Sequence, residues 1–213
     1  MSLSKNTLWT TFFFLLALTS PVLFKAMSFS ASQITNLTAM MYIISAVILI
    51  FINSKTNKNN TLSNHSETTQ KVILVGISGI FISWFLQAIL ALIEIQLLNQ
   101  PMGSQNTQEI TNLIKSAPFF ILAVTIAGPI MEEFVFRFSL INFLNQKLNI
   151  WLSAIISSLI FAILHGDGHY LVYTGLGFFF FLLYRKTGSL LTSIITHAGM
   201  NTLVIVAQLF FIK

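Results

Sequence analysis

The 213-residue chain is strongly apolar: 55% of its residues are hydrophobic, 8% are charged, and its mean hydropathy is +0.82. Since about a quarter of the residues of a soluble domain are charged, this composition predicts a polytopic membrane protein without a separate soluble domain. The net charge of +5 comes from scattered Lys and Arg, which argues against nucleic-acid binding, and the absence of cysteine excludes disulfides, thiol catalysis and thiolate metal sites.

Seven apolar segments are long enough to cross a bilayer as helices of about 20 residues. We predict spans over residues 8–27, 35–52, 72–98, 118–144, 150–165, 170–184 and 190–212. The polar stretches 53–70 and 99–117 are predicted to be solvated loops, and Gly166-Asp167-Gly168-His169 is predicted to be a turn. The expected fold is an all-α transmembrane helical bundle, with three spans in residues 1–117 and a four-helix catalytic core in residues 118–213.

The basic residues predict the orientation of this bundle. A cytoplasmic N-terminus places seven Lys and Arg inside and three outside, as the positive-inside rule favours. The inner group is Lys5, Lys55, Lys58, Lys71, Lys147, Arg185 and Lys186, and the outer group is Lys25, Lys115 and Lys213. Together with the Asn-, Lys- and Ile-rich composition, this predicts an integral protein of a bacterial cell membrane.

A charged cluster interrupts the fourth span, where Glu132, Glu133 and Arg137 fall within six residues. Placing a charge at bilayer depth costs at least about 2.5–3.5 kcal/mol, so such groups indicate a functional site. Glu133 and Arg137 are four residues apart and can pair on one helix face. Glu132 is turned by about 100° from Glu133, which leaves one glutamate structural and the other available for chemistry.

Three more polar residues lie in apolar spans: His165 in the fifth, and His197 and Asn201 in the seventh. Phe161 and His165 are four residues apart, as are His197 and Asn201, so each pair shares one helix face. At about 1.5 Å per residue, the three spans bring these groups and Glu132 to a similar depth. Hydrogen bonding between packed helices would account for a single such residue, but a cluster on three helices favours one polar site.

Taken in order, Glu132-Glu133-x-x-x-Arg137, Phe161-x-x-x-His165 and His197-x-x-x-Asn201 resemble the three motifs of the CPBP family. This family comprises CAAX prenyl proteases and bacteriocin-processing, Abi-type intramembrane peptidases. The resemblance implies that Glu132 is the general base, that His165 holds or activates water, and that His197 and Asn201 donate hydrogen bonds to the oxyanion. It also implies a peptide or lipidated-peptide substrate within the lipid bilayer.

A metal is the alternative to a mechanism based on glutamate alone. Two His and one Glu form a familiar catalytic zinc set, which here would be Glu132, His165 and His197. However, the chain has no His-Glu-x-x-His motif, and an Asn beside His197 suits an oxyanion hole. The sequence therefore favours a site without a cofactor, with zinc as the second reading.

Two other functions compete with this reading. A rhomboid-type serine protease would use Ser78 of Gly76-Ile77-Ser78-Gly79 with His197 as its base, although small residues at this spacing also allow close helix packing. A non-catalytic immunity or transport protein would use the buried Glu, Arg and His as an ion-pair switch or proton relay. Outside the cluster, we expect Glu94 to reach the membrane interface, with substrate contact as the alternative, His169 to be interfacial and His65 to lie in a solvated loop.

Overall fold

A computed structural model describes residues 1–56, 62–63 and 66–210, and these form eight helices and no strand. The predictions for Lys58, His65 and Lys213, and for the end of the last span, fall outside the described residues. The helices are α1 (Leu3–Ala26), α2 (Ala31–Ser54), α3 (Thr69–Leu98), α4 (Gln105–Ser116), α5 (120–144), α6 (Ile150–His165), α7 (Tyr170–Thr187) and α8 (Leu190–Phe210).

Side-chain caps fix where most of these helices begin. The hydroxyl or amide oxygen of a residue just before the helix accepts a backbone N–H from the first turn, which satisfies a donor that has no partner within the helix. Helices α6 and α7 end at glycines in the left-handed conformation, with φ of 70° at Gly166 and 67° at Gly188. The capping residues are Ser2, Ser30, Thr68, Ser104 and Asn149.

Four helices, α1, α2, α3 and α8, are long and apolar enough to cross a membrane, and α6 is a shorter apolar helix. Large apolar side chains such as Val22, Leu74 and Phe85 are exposed on their outer faces. The chain is an integral membrane protein built as a helical bundle, as the composition predicted. The number of seven spans stays a prediction.

The stretch 99–117 is not a loop throughout, because it contains the helix α4. This helix is amphipathic and buries Thr111 and Ile114, and Ile114 packs with Ala39, Phe120 and Ile205. The prediction of a loop was wrong because Ile110, Leu113 and Ile114 are the only large apolar residues in twelve positions. Such a pattern is too short and too polar for a span, yet it is sufficient for a surface helix.

Helix α5 carries the charged cluster and is wider than a regular helix in two places. Residues Ala123–Ala127 and Glu133–Leu140 adopt π-helical hydrogen bonding, which is rare and often found at functional sites. The first wide turn immediately precedes Gly128-Pro129. Pro129 has no N–H to donate to the preceding turn, which favours an irregular helix at this point. The second begins at Glu133, so the two adjacent glutamates lie on either side of a change in helix geometry.

Close packing of α3 against α8 fixes the position of the helix that carries His197 and Asn201. A Cβ atom added to Gly79 would lie 2.3 Å from Thr196 Oγ1, and one added to Gly76 would lie 2.9 Å from Ile195. The hydroxyl of Thr196 also donates a hydrogen bond to the Gly76 carbonyl at 2.9 Å. These contacts fix the turn of α8 that carries His197.

Candidate active site

The four residues predicted to be catalytic come together where α5, α6 and α8 meet. Glu132, His165 and Asn201 line a cavity of about 270 Å³. An adjoining cavity of about 80 Å³ is lined by His197 together with His165 and Asn201. The carboxylate, the two imidazoles and the carboxamide therefore border two cavities that share His165 and Asn201 as lining residues.

Glu133 occupies the closed side of this site. Its side chain has no exposed surface, and its Oε1 atom accepts a hydrogen bond from His197 Nδ1 at 2.9 Å. A carboxylate can only accept, so this contact puts a proton on Nδ1 of the imidazole. The Nε atom of Arg137 lies 3.6 Å from Glu133 Oε2, which makes the predicted i,i+4 ion pair.

The guanidinium group of Arg137 is surrounded by three aromatic rings. Its Cζ atom lies 4.4 Å from the centre of the Phe161 ring, 5.4 Å from that of Phe180 and 5.9 Å from that of Phe136. Over the described part of the chain, its guanidinium nitrogens have no hydrogen-bond partner. The π faces of these rings and the charge of Glu133 therefore compensate the buried cation.

Glu132 occupies the open side. Its side chain keeps 23% of its surface exposed, and its Oε2 atom lies 3.4 Å from His197 Nε2. The imidazole of His197 thus bridges the two glutamates, with one nitrogen toward each. The two carboxylates thus differ in exposure, Glu133 being buried and Glu132 open to the cavity; their division into a structural and an available group stays a prediction.

His165 is the last residue of α6, and its ring is oriented by its own helix. Its Nδ1 atom lies 2.9 Å from the carbonyl oxygen of Phe161, one turn earlier. Donation from Nδ1 leaves a lone pair on Nε2, which is then able to accept a proton or bind water. The Phe161 ring also contacts the His165 ring edge-on at 4.5 Å, so the four-residue spacing of Phe and His has a direct structural reason.

Asn201 lies one turn after His197 and joins α8 to the first wide turn of α5. Its Nδ2 atom donates a hydrogen bond to the Val124 carbonyl at 3.3 Å. A carboxamide has two N–H donors, so the second one remains available to a ligand in the cavity. The carboxamide lines the same cavity as Glu132 and His165.

The aromatic residues around the charges were missed from the sequence. Phe136 and Phe180 enclose Arg137, and the Phe180 ring also stacks on His197 with ring centres 4.6 Å apart. With 21 Phe in the chain, no compositional signal separates these two from lipid-facing ones. Phe136 has a local cue, because it directly precedes Arg137, whereas Phe180 has none.

Glu94 and His169 pair inside the helical bundle, a contact that was not predicted from the sequence. Glu94 is fully buried and His169 nearly so, and His169 Nδ1 lies 2.7 Å from Glu94 Oε2. The other carboxylate oxygen of Glu94 accepts the backbone N–H groups of Leu171 and Val172, at the start of α7. A carboxylate at a helix N-terminus satisfies free donors and the helix dipole, which explains why the acid is kept inside.

The serine-protease alternative does not fit the structure. Ser78 is exposed on α3, whereas the flanking Gly76 and Gly79 pack against α8. His197, the base that this alternative needs, faces Glu132 and Glu133 instead. The small-residue pattern therefore serves helix packing.

The three residues of the zinc set named from the sequence are not grouped as metal ligands in the structure. Within the ranges that the structure describes, no three His, Cys, Asp or Glu side chains are grouped as metal ligands. Glu132 Oε2 and His197 Nε2 lie 3.4 Å apart, and the Nδ1 atoms of His165 and His197 face a backbone carbonyl and Glu133, contacts that leave both Nε2 atoms available to other partners. A catalytic zinc site needs three convergent protein ligands.

Comparisons with known proteins point to one family. Residues 114–203, which include all six site residues, match the family model described as "Type II CAAX prenyl endopeptidase Rce1-like". The chain is 35% identical over 175 residues to the Bacillus subtilis (strain 168) protein named "Putative membrane peptidase YdiL", covering 81% of this chain and 72% of the relative. It is 30% identical over 178 residues to "Membrane-embedded CAAX protease MroQ" of Staphylococcus aureus (strain USA300), covering 80% and 72%. No solved structure matches the chain.

Proposed function

The chain belongs to the CPBP family, which includes the Rce1-like type II CAAX prenyl endopeptidases, and is an intramembrane peptidase; on that premise we propose that Glu132 is its general base. Two observations support this choice over Glu133. Glu132 is the carboxylate that borders the cavity, whereas Glu133 is fully buried against His197 and Arg137. A general base must reach the water that it deprotonates.

The proposed reaction is hydrolysis of a peptide bond by an activated water. Glu132 accepts a proton from the water, with the Nε2 lone pair of His165 helping to hold it, and the water oxygen attacks the scissile carbonyl carbon. The C–N bond then breaks, and the proton held by Glu132 passes to the leaving amine nitrogen. Each proton transfer of this type contributes about 10²–10⁴-fold to the rate.

Asn201 and His197 are proposed to stabilise the oxyanion that forms on the carbonyl oxygen. Asn201 offers its second amide N–H, and His197 donates through Nε2 when its imidazole carries both protons. In that state the formal charges of Glu132, Glu133, Arg137 and His197 sum to zero, which suits a cluster inside a membrane. Glu133 and Arg137 then act by holding His197, without touching the substrate.

We propose that no metal takes part and that the substrate is an apolar or lipidated peptide. The cavity wall supports the substrate proposal, because aromatic and aliphatic side chains surround the polar site. Prenylated C-terminal peptides and bacteriocin or pheromone precursors are the substrate classes that fit such a wall. The residues concerned are Phe14, Leu18, Tyr42, Phe120, Val124 and Leu164.

The decisive experiment compares membrane peptides by mass spectrometry from cells that carry the wild type, Glu132→Gln or Glu109→Gln. Glu109 is an exposed glutamate on α4, so its variant makes the same chemical change outside the cavity. We expect cleavage products with the wild type and with Glu109→Gln, and none with Glu132→Gln at equal membrane levels. Products that persist with Glu132→Gln would refute the role of this residue.

The bacterial cell membrane and the cytoplasmic N-terminus are proposed from the distribution of basic residues. The N-terminal amine bonds to the Lys55 carbonyl at 2.8 Å, so α1 begins where α2 ends. Because the chain has no cysteine, single-cysteine labelling tests the orientation cleanly. Lys115→Cys should react with an impermeant maleimide in intact cells, and Lys55→Cys only after permeabilisation; the reverse pattern would invert the proposed orientation.

A further inference from the structure

Beside His165 lies a hydrogen-bonded group that the proposed reaction does not use. The Tyr173 hydroxyl donates to Asp167 Oδ2 at 2.9 Å, and the Ser104 hydroxyl donates to the same oxygen at 2.6 Å. The backbone N–H of His169 donates to Asp167 Oδ1 at 3.3 Å. A carboxylate that receives three donors is held firmly, because charge-assisted hydrogen bonds are about twice as strong as neutral ones.

The ring of Tyr173 connects this group to the active site. It stacks on the imidazole of His165, with ring centres 3.8 Å apart and planes 24° apart. The Phe161 ring contacts the same imidazole edge-on, and the Phe161 carbonyl holds its Nδ1 atom. His165 is therefore confined by two rings and one hydrogen bond, which together direct Nε2 toward the cavity.

The support matters because of where His165 lies. It is the last residue of α6, and Gly166 follows with φ of 70°. The ends of helices fray and hold side chains less firmly than helix interiors do. A catalytic group needs its rotamer locked by its neighbours, and at this helix end those neighbours come from α7 and from the start of α4.

We propose that Tyr173 is a positioning residue for His165 and that Asp167, with Ser104, fixes Tyr173 in place. The inference rests on the proposed role of His165 in holding water. The Glu94–His169 pair supports the same turn from behind, since His169 Nδ1 lies 2.7 Å from Glu94 and its backbone N–H reaches Asp167. The hydrogen bonds of the turn 166–169 thus help to orient the imidazole of His165.

The test distinguishes the contribution of the Tyr173 ring, which stacks on His165, from that of the Tyr173 hydroxyl, which bonds to Asp167. Tyr173→Phe keeps the ring and removes the hydroxyl, Asp167→Asn removes the charged acceptor, and Tyr173→Leu removes the ring. Tyr170→Phe is the matched control, because Tyr170 is exposed on the same helix turn. Steady-state cleavage is measured with a fluorogenic farnesylated CAAX peptide, per amount of folded protein in liposomes.

Since a misplacement of about 1 Å costs up to about 100-fold in rate, we expect kcat to fall about tenfold in Tyr173→Phe and Asp167→Asn, with KM unchanged. Tyr173→Leu should lose about 100-fold, so that Phe at this position rescues part of the activity. The double variant Tyr173→Phe/Asp167→Asn should be no slower than the slower single variant, because both changes remove the same contact.

Three kinetic outcomes would overturn the proposal. A rise in KM with kcat unchanged would make Tyr173 a substrate contact, and a normal kcat per folded molecule would make it a packing residue only. Multiplying losses in the double variant would show that the two residues act separately.

A second measurement needs no cleavage, and so distinguishes this inference from the proposed function. Nitrogen NMR of ¹⁵N-histidine-labelled protein reports the tautomer of His165, assigned by comparison with His165→Gln. We expect one tautomer, protonated on Nδ1, in the wild type and in Tyr170→Phe, and averaged ring signals in Tyr173→Leu. Unchanged ring signals in Tyr173→Leu would refute the positioning role, whether or not the peptide is cleaved.

Discussion

The strongest test of the buried charge cluster is to remove one member of the Glu133–Arg137 pair. Arg137 and Glu133 have only 1% and 0% of their side-chain surface exposed. Arg137→Leu leaves the carboxylate of Glu133 buried without its cation. Breaking a buried pair in this way costs about 3–5 kcal/mol.

For a chain of this length, each kcal/mol lowers Tm by about 2–4 °C, so Arg137→Leu should lower Tm by about 6–20 °C. The measurement is thermal unfolding of the purified protein in detergent. The double variant Glu133→Leu/Arg137→Leu should regain most of this loss, because apolar residues often replace a buried pair at little cost. It should remain inactive, since His197 Nδ1 loses its acceptor.

A more exposed pair with the same sequence spacing provides the control. Lys71 and Glu67 are also four residues apart and lie 2.7 Å from each other, with 49% and 29% of their side-chain surface exposed. Lys71→Leu should change stability by less than about 1 kcal/mol. If the losses in Glu133→Leu and Arg137→Leu simply add in the double variant, the two buried charges do not compensate each other and the reasoning fails.

Four further predictions concern the site and its support. Asn201→Ala should lower kcat by about 10²–10³-fold if the amide stabilises the oxyanion, whereas a pure change in KM in the cleavage assay would contradict that role. Treatment with 1,10-phenanthroline should leave cleavage by the purified protein unchanged, and inhibition reversed by added zinc would contradict the metal-free proposal. Gly79→Leu should lower Tm because its side chain would collide with Thr196, while Ser78→Ala should keep both Tm and activity; loss of cleavage in Ser78→Ala would revive the serine-protease reading.

The charged and polar residues of the site were predictable because charged residues are rare within membrane-spanning segments. In a chain with 8% charged residues, Glu132, Glu133 and Arg137 in one span carry information that they would lack in a soluble helix. The helical period then separates the two glutamates by about 100°. Their different environments, one open and one closed, follow from that angle.

The aromatic half was not predictable, since apolar residues are the background of such a sequence. Phe180 stacks on His197, and Tyr173 stacks on His165, but nothing in the local sequence distinguishes either ring from those that face lipid. The pair of Glu94 and His169 was missed for another reason, because its members are 75 residues apart. A single sequence does not reveal which polar groups distant in sequence are in contact. The acid near the end of α3 and the histidine in the turn before α7 could have been recognised only as two groups able to form a hydrogen bond.

The positions of the two glutamates are consistent with the different tasks proposed for these adjacent residues. Glu133 Oε1 lies 2.9 Å from His197 Nδ1, and Glu132 Oε2 lies 3.4 Å from His197 Nε2. One imidazole therefore spans two neighbouring residues of α5, and the closed glutamate sets the orientation of the ring that faces the open one. This geometry requires α8 to pack against α5 in a fixed axial position. Gly76 and Gly79 of α3 help to fix that position, because they let α3 pack closely against Ile195 and Thr196 of α8. The chemistry proposed for Glu132 thus depends on helix packing several residues away, and a variant such as Gly79→Leu should impair cleavage even though it leaves every residue of the site unchanged.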